Sequence, residues 1–303
     1  WRDASATEFS EIAMSSAGGD AFEVRLPATA CGTSIVWYVQ AQASTGEIIT
    51  APEGAPAVLN RSQSAYGVET IFDDDFESDR GWIVGAPGDN ATAGIWTRVD
   101  PNGTAAQPED DASPDGTICF ITGQGPVGGA IGLADVDGGT TTLTSPPIDA
   151  SGEGATYLRY ARWYSNNTGA APNADSMPVE VSNDNGVTWT LLELVTENAN
   201  AWVVKTWRLN DVFPTLGTQF RVRFLARDLN AGSLVEAGVD EVELFRLLCE
   251  PTLLGDLDGD GRVNGFDLSM LLSAWGSPAA DLNGDGTTNG ADLTTLLSAW
   301  TGT

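Results

Sequence analysis

From Gln219 to Ala226 apolar and polar positions alternate: Phe220, Val222 and Phe224 face one way, Arg221 and Arg223 the other. Alternation of this kind marks a strand with one buried face. Comparable stretches lie at Thr156–Ser165, Met177–Ser182, Trp189–Val195, Ala201–Leu209 and Val239–Phe245, separated by glycine-rich turn signals and without a sustained helical period. Residues 71–249 therefore read as one all-β block of a length that suits a two-sheet jelly roll.

The flanks differ. Ala21–Leu26 alternates until Pro27 stops it, and Thr33–Gln42 is a stronger strand, with Ile35, Trp37 and Val39 on one face and Val36 and Tyr38 on the other. Thr45-Gly46 turns the chain into Glu47–Thr50. Ala51 to Gly67 is rich in Pro, Ala, Ser and Gly, and residues 61–70 are assigned as a linker. Beyond Glu250 the period changes to that of short helices: Leu268, Leu271, Leu272 and Trp275 fall at i, i+3, i+4 and i+7, and Leu293, Leu296, Leu297 and Trp300 repeat the spacing. The two apolar stripes are expected to pack on each other.

Each of these helices follows an acidic loop. The first carries Asp256, Asp258, Asp260, Arg262, Asn264 and Asp267; the second, 25 residues on, carries Asp281, Asn283, Asp285, Thr287, Asn289 and Asp292. These are positions 1, 3, 5, 7, 9 and 12 of a twelve-residue calcium loop, with Gly261 and Gly286 at the sharp bend. Positions 1, 3, 5 and 12 offer side-chain oxygens, position 7 a backbone carbonyl, and position 9 an oxygen direct or through water. Two Ca²⁺ ions are expected, with binding coupled to helix formation.

Composition narrows the classes. With 14 Lys and Arg against 42 Asp and Glu, the net charge of −28 disfavours nucleic acid and anionic membrane as partners. No apolar run reaches the length of a membrane helix. The absence of His removes Ser-His-Asp and Cys-His catalysis, and no other catalytic constellation stands out, so the region is expected to be non-catalytic. The opening at Trp1, without Met or a signal segment, leads us to expect a processed form or the C-terminal piece of a longer protein. Of Cys31, Cys119 and Cys249, the pairing expected first is Cys119 with Cys249, both in the central block.

Ser182-Asn183-Asp184-Asn185-Gly186-Val187-Thr188-Trp189 fits SxDxGxxW, the Asp-box, which as physics is a hairpin turn. Trp82, Trp96, Trp163, Trp202 and Trp207 suit either core packing or a sugar-stacking face. Asp73, Asp74 and Asp75 are a solvated run or additional ligands. Glu77 and Asp240, near the first and last strands, are exposed acids or a metal pair.

Three resemblances add to this reading. "DDDFESDRGW", "LTSPPIDASG", "YARWYSNNTGAAPNADSMPVEVSNDNGVTW" and "FRVRFLARDLNAGSLVEAGVDEVEL" resemble jelly-roll domains of secreted bacterial peptidases and MAM-type domains, in which an acidic pair placed like Glu77 and Asp240 holds a structural calcium. "LPATACGTSIVWYVQAQASTG" resembles the closing strands of an immunoglobulin- or fibronectin-like module, covering residues 1–60. Residues 255–303, two loops each with a single outgoing helix and closed by Asp, resemble a type I dockerin. These resemblances imply a secreted, extracellular protein with an upstream hydrolase, the jelly roll favouring a peptidase and the dockerin a polysaccharide-degrading enzyme, and the dockerin implies a cohesin-like partner. Gly265-Phe266 and Gly290-Ala291 replace the Ser-Thr-like pair with which many dockerins dock, a departure that bears on the partner and not on calcium. The expected fold is mainly β: a jelly-roll sandwich, a partial immunoglobulin-like sandwich before it and a small α-helical calcium module after it. The alternative function is a carbohydrate-binding module using Trp.

Overall fold

A computed structural model describes residues 1–19, 21–27, 29–30, 32–229, 232–249, 253–258 and 262–301. The fold is mainly β with a short helical region near its C-terminal end. By contact it divides into residues 1–68 with 247–303, and residues 69–246.

In the first unit, β1 (Arg2–Asp3), β4 (Ser34–Trp37) and β7 (Asn60–Gln63) form a three-stranded sheet, while β2 (Ser15–Gly18) with β3 (Ala21–Glu23) and β5 (Val39–Gln42) with β6 (Ile48–Ala51) form two hairpins. The single strand expected over 33–42 is thus two, broken at Tyr38, and its halves serve different sheets. Alternation alone does not reveal such a break, because both halves keep the same period. Part of the expected linker is also strand: Asn60–Gln63 pairs with Trp37–Ser34. Its polar sequence hides it, since only pairing orders it. Ile35 and Val36 are the buried apolar side chains among the described residues of 1–68.

The second unit is the jelly roll. One sheet runs β10 (Trp96–Val99), β11 (Cys119–Thr122), β18 (Glu236–Leu248), β13 (Ala155–Ser165), β16 (Val203–Arg208), with β8 (Gly67–Asp74) also on β18. The other runs β15 (Thr190–Val195), β14 (Met177–Ser182), β17 (Arg221–Asp228), β12 (Gly139–Thr144), β9 (Ile83–Val84). Phe220, Val222 and Phe224 are fully buried between the sheets, as their alternation predicts. They meet Leu158, Tyr160 and Tyr164 from the facing sheet.

Strand β18 changes phase midway. Val235, Ala237 and Val239 enter the core, then Val242 and Leu244 do so. The shift is made at Glu241, which holds a positive φ of 50°. Before it, Glu236 and Asp240 fall on the outer face, yet both are buried. Residues 100–117 cover them: Ala112 N–H donates to Asp240 Oδ2 at 2.7 Å, Trp163 Nε1 to the Ala106 carbonyl at 2.7 Å, and Gln107 Nε2 to the Thr122 carbonyl at 3.2 Å. This covering loop has no hydrophobic period, so the sequence gives no signal for it.

Burial makes Glu236 the group most easily tested by pH. Its carboxyl is pushed up to about 8, first by burial and then by Asp135, against the Thr122 hydroxyl that donates to it at 3.1 Å. An acid raised in the folded state favours folding while neutral and opposes it when ionised. The sandwich should therefore lose stability as pH rises from about 5 through 8, and Glu236→Gln should flatten that slope. Thermal melts of both proteins across this range measure it; parallel curves would refute it.

Cys249 is disulfide-bonded and Cys119 is free and buried, so the expected Cys119–Cys249 bridge is not formed. Cys119 lies in the middle of the six-stranded sheet, paired with Val99, where the fold leaves no second thiol. Cys31 lies outside the described residues.

Candidate metal centres

In the C-terminal module, α1 (Gly265–Ser273) and α2 (Gly290–Ser298) each begin at the end of an acidic loop. Asn264 and Asn289 are the N-caps. Each side-chain oxygen accepts the N–H two residues on, from Phe266 and Ala291, at 2.8 Å. Asp267 and Asp292 reach back to the N–H of the cap at 2.8 and 2.7 Å, completing two capping boxes. The sequence carries the signal for this, Asn followed at three residues by Asp, at the same positions as calcium ligands 9 and 12.

The closing aspartates also tie each loop's start. Asp267 Oδ1 accepts Leu257 N–H at 2.7 Å and Asp292 Oδ1 accepts Leu282 N–H at 2.8 Å. Burial raises both carboxyls, but the N–H donors of the cap and the loop outweigh it, and both lie below the ordinary range. They therefore stay ionised at neutral pH. Around them, one oxygen each from Asp256, Asp258 and Asp267, and likewise from Asp281, Asp285 and Asp292, lie within 4.8 Å of one another. Each cluster can hold a metal ion, and an all-oxygen, carboxylate-rich donor set suits Ca²⁺. Asp260 lies outside the described residues.

In the second loop Asn289 Nδ2 donates to the Thr287 carbonyl at 2.8 Å and to Asp285 Oδ2 at 3.2 Å. Asn283 Nδ2 likewise donates to Asp285 Oδ2 at 3.0 Å. Its carbonyl oxygen accepts Asp285 N–H at 2.8 Å. With its own oxygen engaged in the cap, Asn289 fits the position-9 role through water better than a direct bond.

The helical stripes are rotated from expectation. Leu271 and Leu296 are fully buried with Val263, beside the buried Ala280, whereas Leu272, Trp275, Leu297 and Trp300 are 40–52% exposed. The closing aspartate decides the rotation. To enter its loop, Asp267 must face inward, which carries Leu271 and Ala274 (i+4 and i+7) inward and turns Leu272 out. The repeats are then tied crosswise: after α2, Thr301 N–H donates to the Val263 carbonyl and Val263 N–H to Thr301 Oγ1, while Thr288 exchanges backbone bonds with the segment after α1, at Gly276 and Ser277.

Glu77 and Asp240 both bond the segment that follows Asp111. Glu77 is exposed and its Oε1 accepts Thr117 and Ile118 N–H at 2.7 and 2.6 Å. Asp240 is fully buried and its carboxyl is pushed up to about 7 by burial, then by Asp111 and Glu241. Both carboxylates hold the 111–118 segment. A Cβ on Gly116 would lie 2.4 Å from Asp111 Oδ2 and 2.8 Å from Glu77 Oε1, so acidic oxygens converge there. Asp74, from the acidic run, is 2% exposed and structural: it accepts Trp82 Nε1 at 2.8 Å and Phe76 N–H at 3.0 Å.

The Asp-box is a turn. Asp184 accepts the Thr188 N–H at 2.9 Å and its hydroxyl at 2.6 Å, Gly186 holds a φ of 86°, and Trp189 lies against Arg223 at 4.1 Å. The five tryptophans are each engaged. Trp96 is in the core, Trp82 packs edge-on to Phe76, and Trp207 Nε1 donates to Tyr160 Oη at 3.0 Å. Trp163 and Trp202 stand half-buried and edge to face, 6.0 Å apart.

A sandwich followed by a tandem pair of acidic loops, each with one capped helix, defines a modular β protein whose tail offers two carboxylate clusters able to hold a metal ion. Residues 254–298 match the family model of the type I dockerin domain. No curated protein matches the chain. Among solved structures, the chain is similar to TmCBM61 in complex with β-1,4-galactotriose (12% identity, 55% of this chain and 89% of that one, TM-score 0.34). It is also similar to the K1 cleaved adhesin domain of Lys-gingipain from Porphyromonas gingivalis W83 (16%, 57% and 96%, 0.33). A third is the CBM22-1–GH10 part of xylanase 10B from Clostridium thermocellum (15%, 58% and 28%, 0.32). Likenesses of this extent bear on neither ligand nor activity.

Proposed function

We propose that the chain is a binding and assembly region of a secreted modular bacterial protein, accessory to a hydrolase. Its dockerin module, ordered by two Ca²⁺ ions, docks on a cohesin-like partner, and its jelly roll is an accessory binding domain. The observation that carries this is the pair of three-carboxylate clusters inside the 254–298 match, each built onto a capped helix. The ligand set comprises Asp256, Asp258, Asp260, Arg262, Asn264 and Asp267 in one loop, and Asp281, Asn283, Asp285, Thr287, Asn289 and Asp292 in the other. Glu77 and Asp240, with Asp111, are proposed as a third, structural calcium site in the sandwich.

Docking on this module is apolar. Phe266, at loop position 11, is 74% exposed, and Met270, one turn on, is 45% exposed. Phe266→Ala should lower partner affinity at least tenfold, a hot-spot-sized loss of about 1.4 kcal/mol or more, while leaving calcium binding unchanged. Surface-plasmon measurements against a cohesin panel, with calcium titration alongside, check both halves; unaltered affinity for a partner that binds wild type would refute the docking face.

A second reading, glycan binding by the jelly roll, rests on the half-buried Trp163–Trp202 pair. Loss of glycan-array binding in Trp202→Ala with an intact near-ultraviolet spectrum would support it; an array silent for wild type would reject it.

A further inference from the structure

One end of the jelly roll holds two buried acids, Asp175 and Asp228, and one oxygen of Asp228 that no donor reaches. Asp228, the last residue of β17, is 8% exposed, and Asp175, just before β14, is 7% exposed. Backbone donors fix one oxygen of each: Gly138 N–H reaches Asp228 Oδ2 at 2.9 Å and Leu229 N–H reaches Asp175 Oδ1 at 2.8 Å. Because Leu229 adjoins Asp228, its bond sets the two carboxyl groups at one place, and burial first, then the charge of Asp175, holds Asp228 above the ordinary carboxylate range. Asp228 Oδ1 is buried and receives no donor. Among the described residues no ion pair reaches Asp228, Asp135 or Asp137.

A second orphan points to the same place. Tyr164, fully buried on the opposite sheet, has a hydroxyl without a hydrogen-bond partner. Burial and then the charge of Asp175 act on that phenol and push its pKa up. The segment that carries Asp175 folds back on β13 close by, with Asp175 N–H donating to Asn166 Oδ1 at 3.1 Å.

We infer that Asp175 and Asp228 bind a hard divalent cation, calcium, with the Tyr164 hydroxyl as a neutral oxygen at the same end of the sandwich. Two buried carboxylates in contact repel strongly without a positive charge between them. A shared proton would remove one charge only, and Asp135 and Asp137 add more: burial, Asp137 and Asp228 push Asp135 up to about 6. The donors are all oxygen, without sulfur or imidazole, which selects against zinc and copper. Calcium tolerates an irregular shell of carboxylate and neutral oxygens. This site shares no residue with the C-terminal loops or with Glu77 and Asp240.

The test counts ions. Full-length wild type, Asp228→Asn and Asp175→Asn are equilibrated with calcium and analysed by native mass spectrometry. Each variant should carry one ion fewer than wild type while the calcium-dependent helical signal of the C-terminal loops is unchanged. In crystals grown with Mn²⁺, wild type should show an anomalous peak between the two carboxylates; this arm stands if a variant fails to fold. Equal ion counts in folded variants, or no peak in wild type, would overturn the inference. So would stabilisation of wild type by acid alone with no response of this end to calcium, the mark of a shared proton. The helical signal reports the loops separately, so failure here and failure of the dockerin reading are told apart.

Discussion

Stripping calcium from the full chain is expected to melt α1 and α2 and leave the sandwich folded. Each helix has nine residues, short of the length at which a helix holds in water alone. Their shared core is small, with Val263, Leu271, Ala280 and Leu296 as its buried members. Against it stand two clusters of three carboxylates with oxygens within 4.8 Å. Without a cation, the same aspartates that cap the helices repel the rest of their loops. Chelation should abolish the helical circular-dichroism signal, while the near-ultraviolet signal of the buried sandwich aromatics persists. Recovery should follow calcium at a midpoint of about 10⁻⁴–10⁻³ M if the module sits at the weak end of the extracellular range. A helical signal indifferent to chelator would sink the calcium assignment.

Arg162→Ala should be the most damaging single change in the sandwich. Its side chain is 1% exposed and points between the sheets, where its Nε and Nη2 bond Glu193 at 3.0 and 2.7 Å. Tyr160 Oη adds a bond to Glu193 at 2.7 Å. Removing the guanidinium leaves a carboxylate that is 9% exposed with only the longer 3.7 Å contact to Lys205 Nζ and the Tyr160 hydroxyl, a change that costs up to about 3–5 kcal/mol. For a domain of this size that is roughly 6–20 °C of melting temperature. Glu197, also bonded to Arg162, is 61% exposed, and Glu197→Ala should cost under about 1 kcal/mol. Replacing Arg162 and Glu193 together by Met and Leu should recover most of the loss, because no charge is then left unpaired. Calorimetry on the variants checks the ordering; an Arg162→Ala protein as stable as wild type would show that the network is not buried in solution.

The strands of the sandwich and the acidic repeat were legible because each rests on a local period. Met177–Ser182 was read to the residue, and the strand near Thr156 to within one. Misreadings occurred where distance along the chain mattered. Asn60–Gln63 becomes a strand by pairing with Ser34–Trp37, and the segment over 100–117 is ordered by donors to Asp240 and Thr122. Position 12 of each loop was foreseen as a ligand, yet its second task, capping the helix, sets which leucines are buried.

The amino-acid order by itself determined the mainly β character, the alternation that places Phe220, Val222 and Phe224 inside, and the twice-repeated oxygen donors before two short helices. Those properties depend on neighbours within a dozen residues, where backbone geometry alone fixes which side chains share a face. The tertiary structure decided the rest: the freedom of Cys119, the burial of Glu236 and Asp240 beneath a covering loop, the outward turn of Leu272 and Leu297, and the meeting of Asp175 with Asp228. Each requires segments remote in sequence to pack together, and burial, which sets the charge state of an acid and the cost of leaving it unpaired, exists only once they have done so.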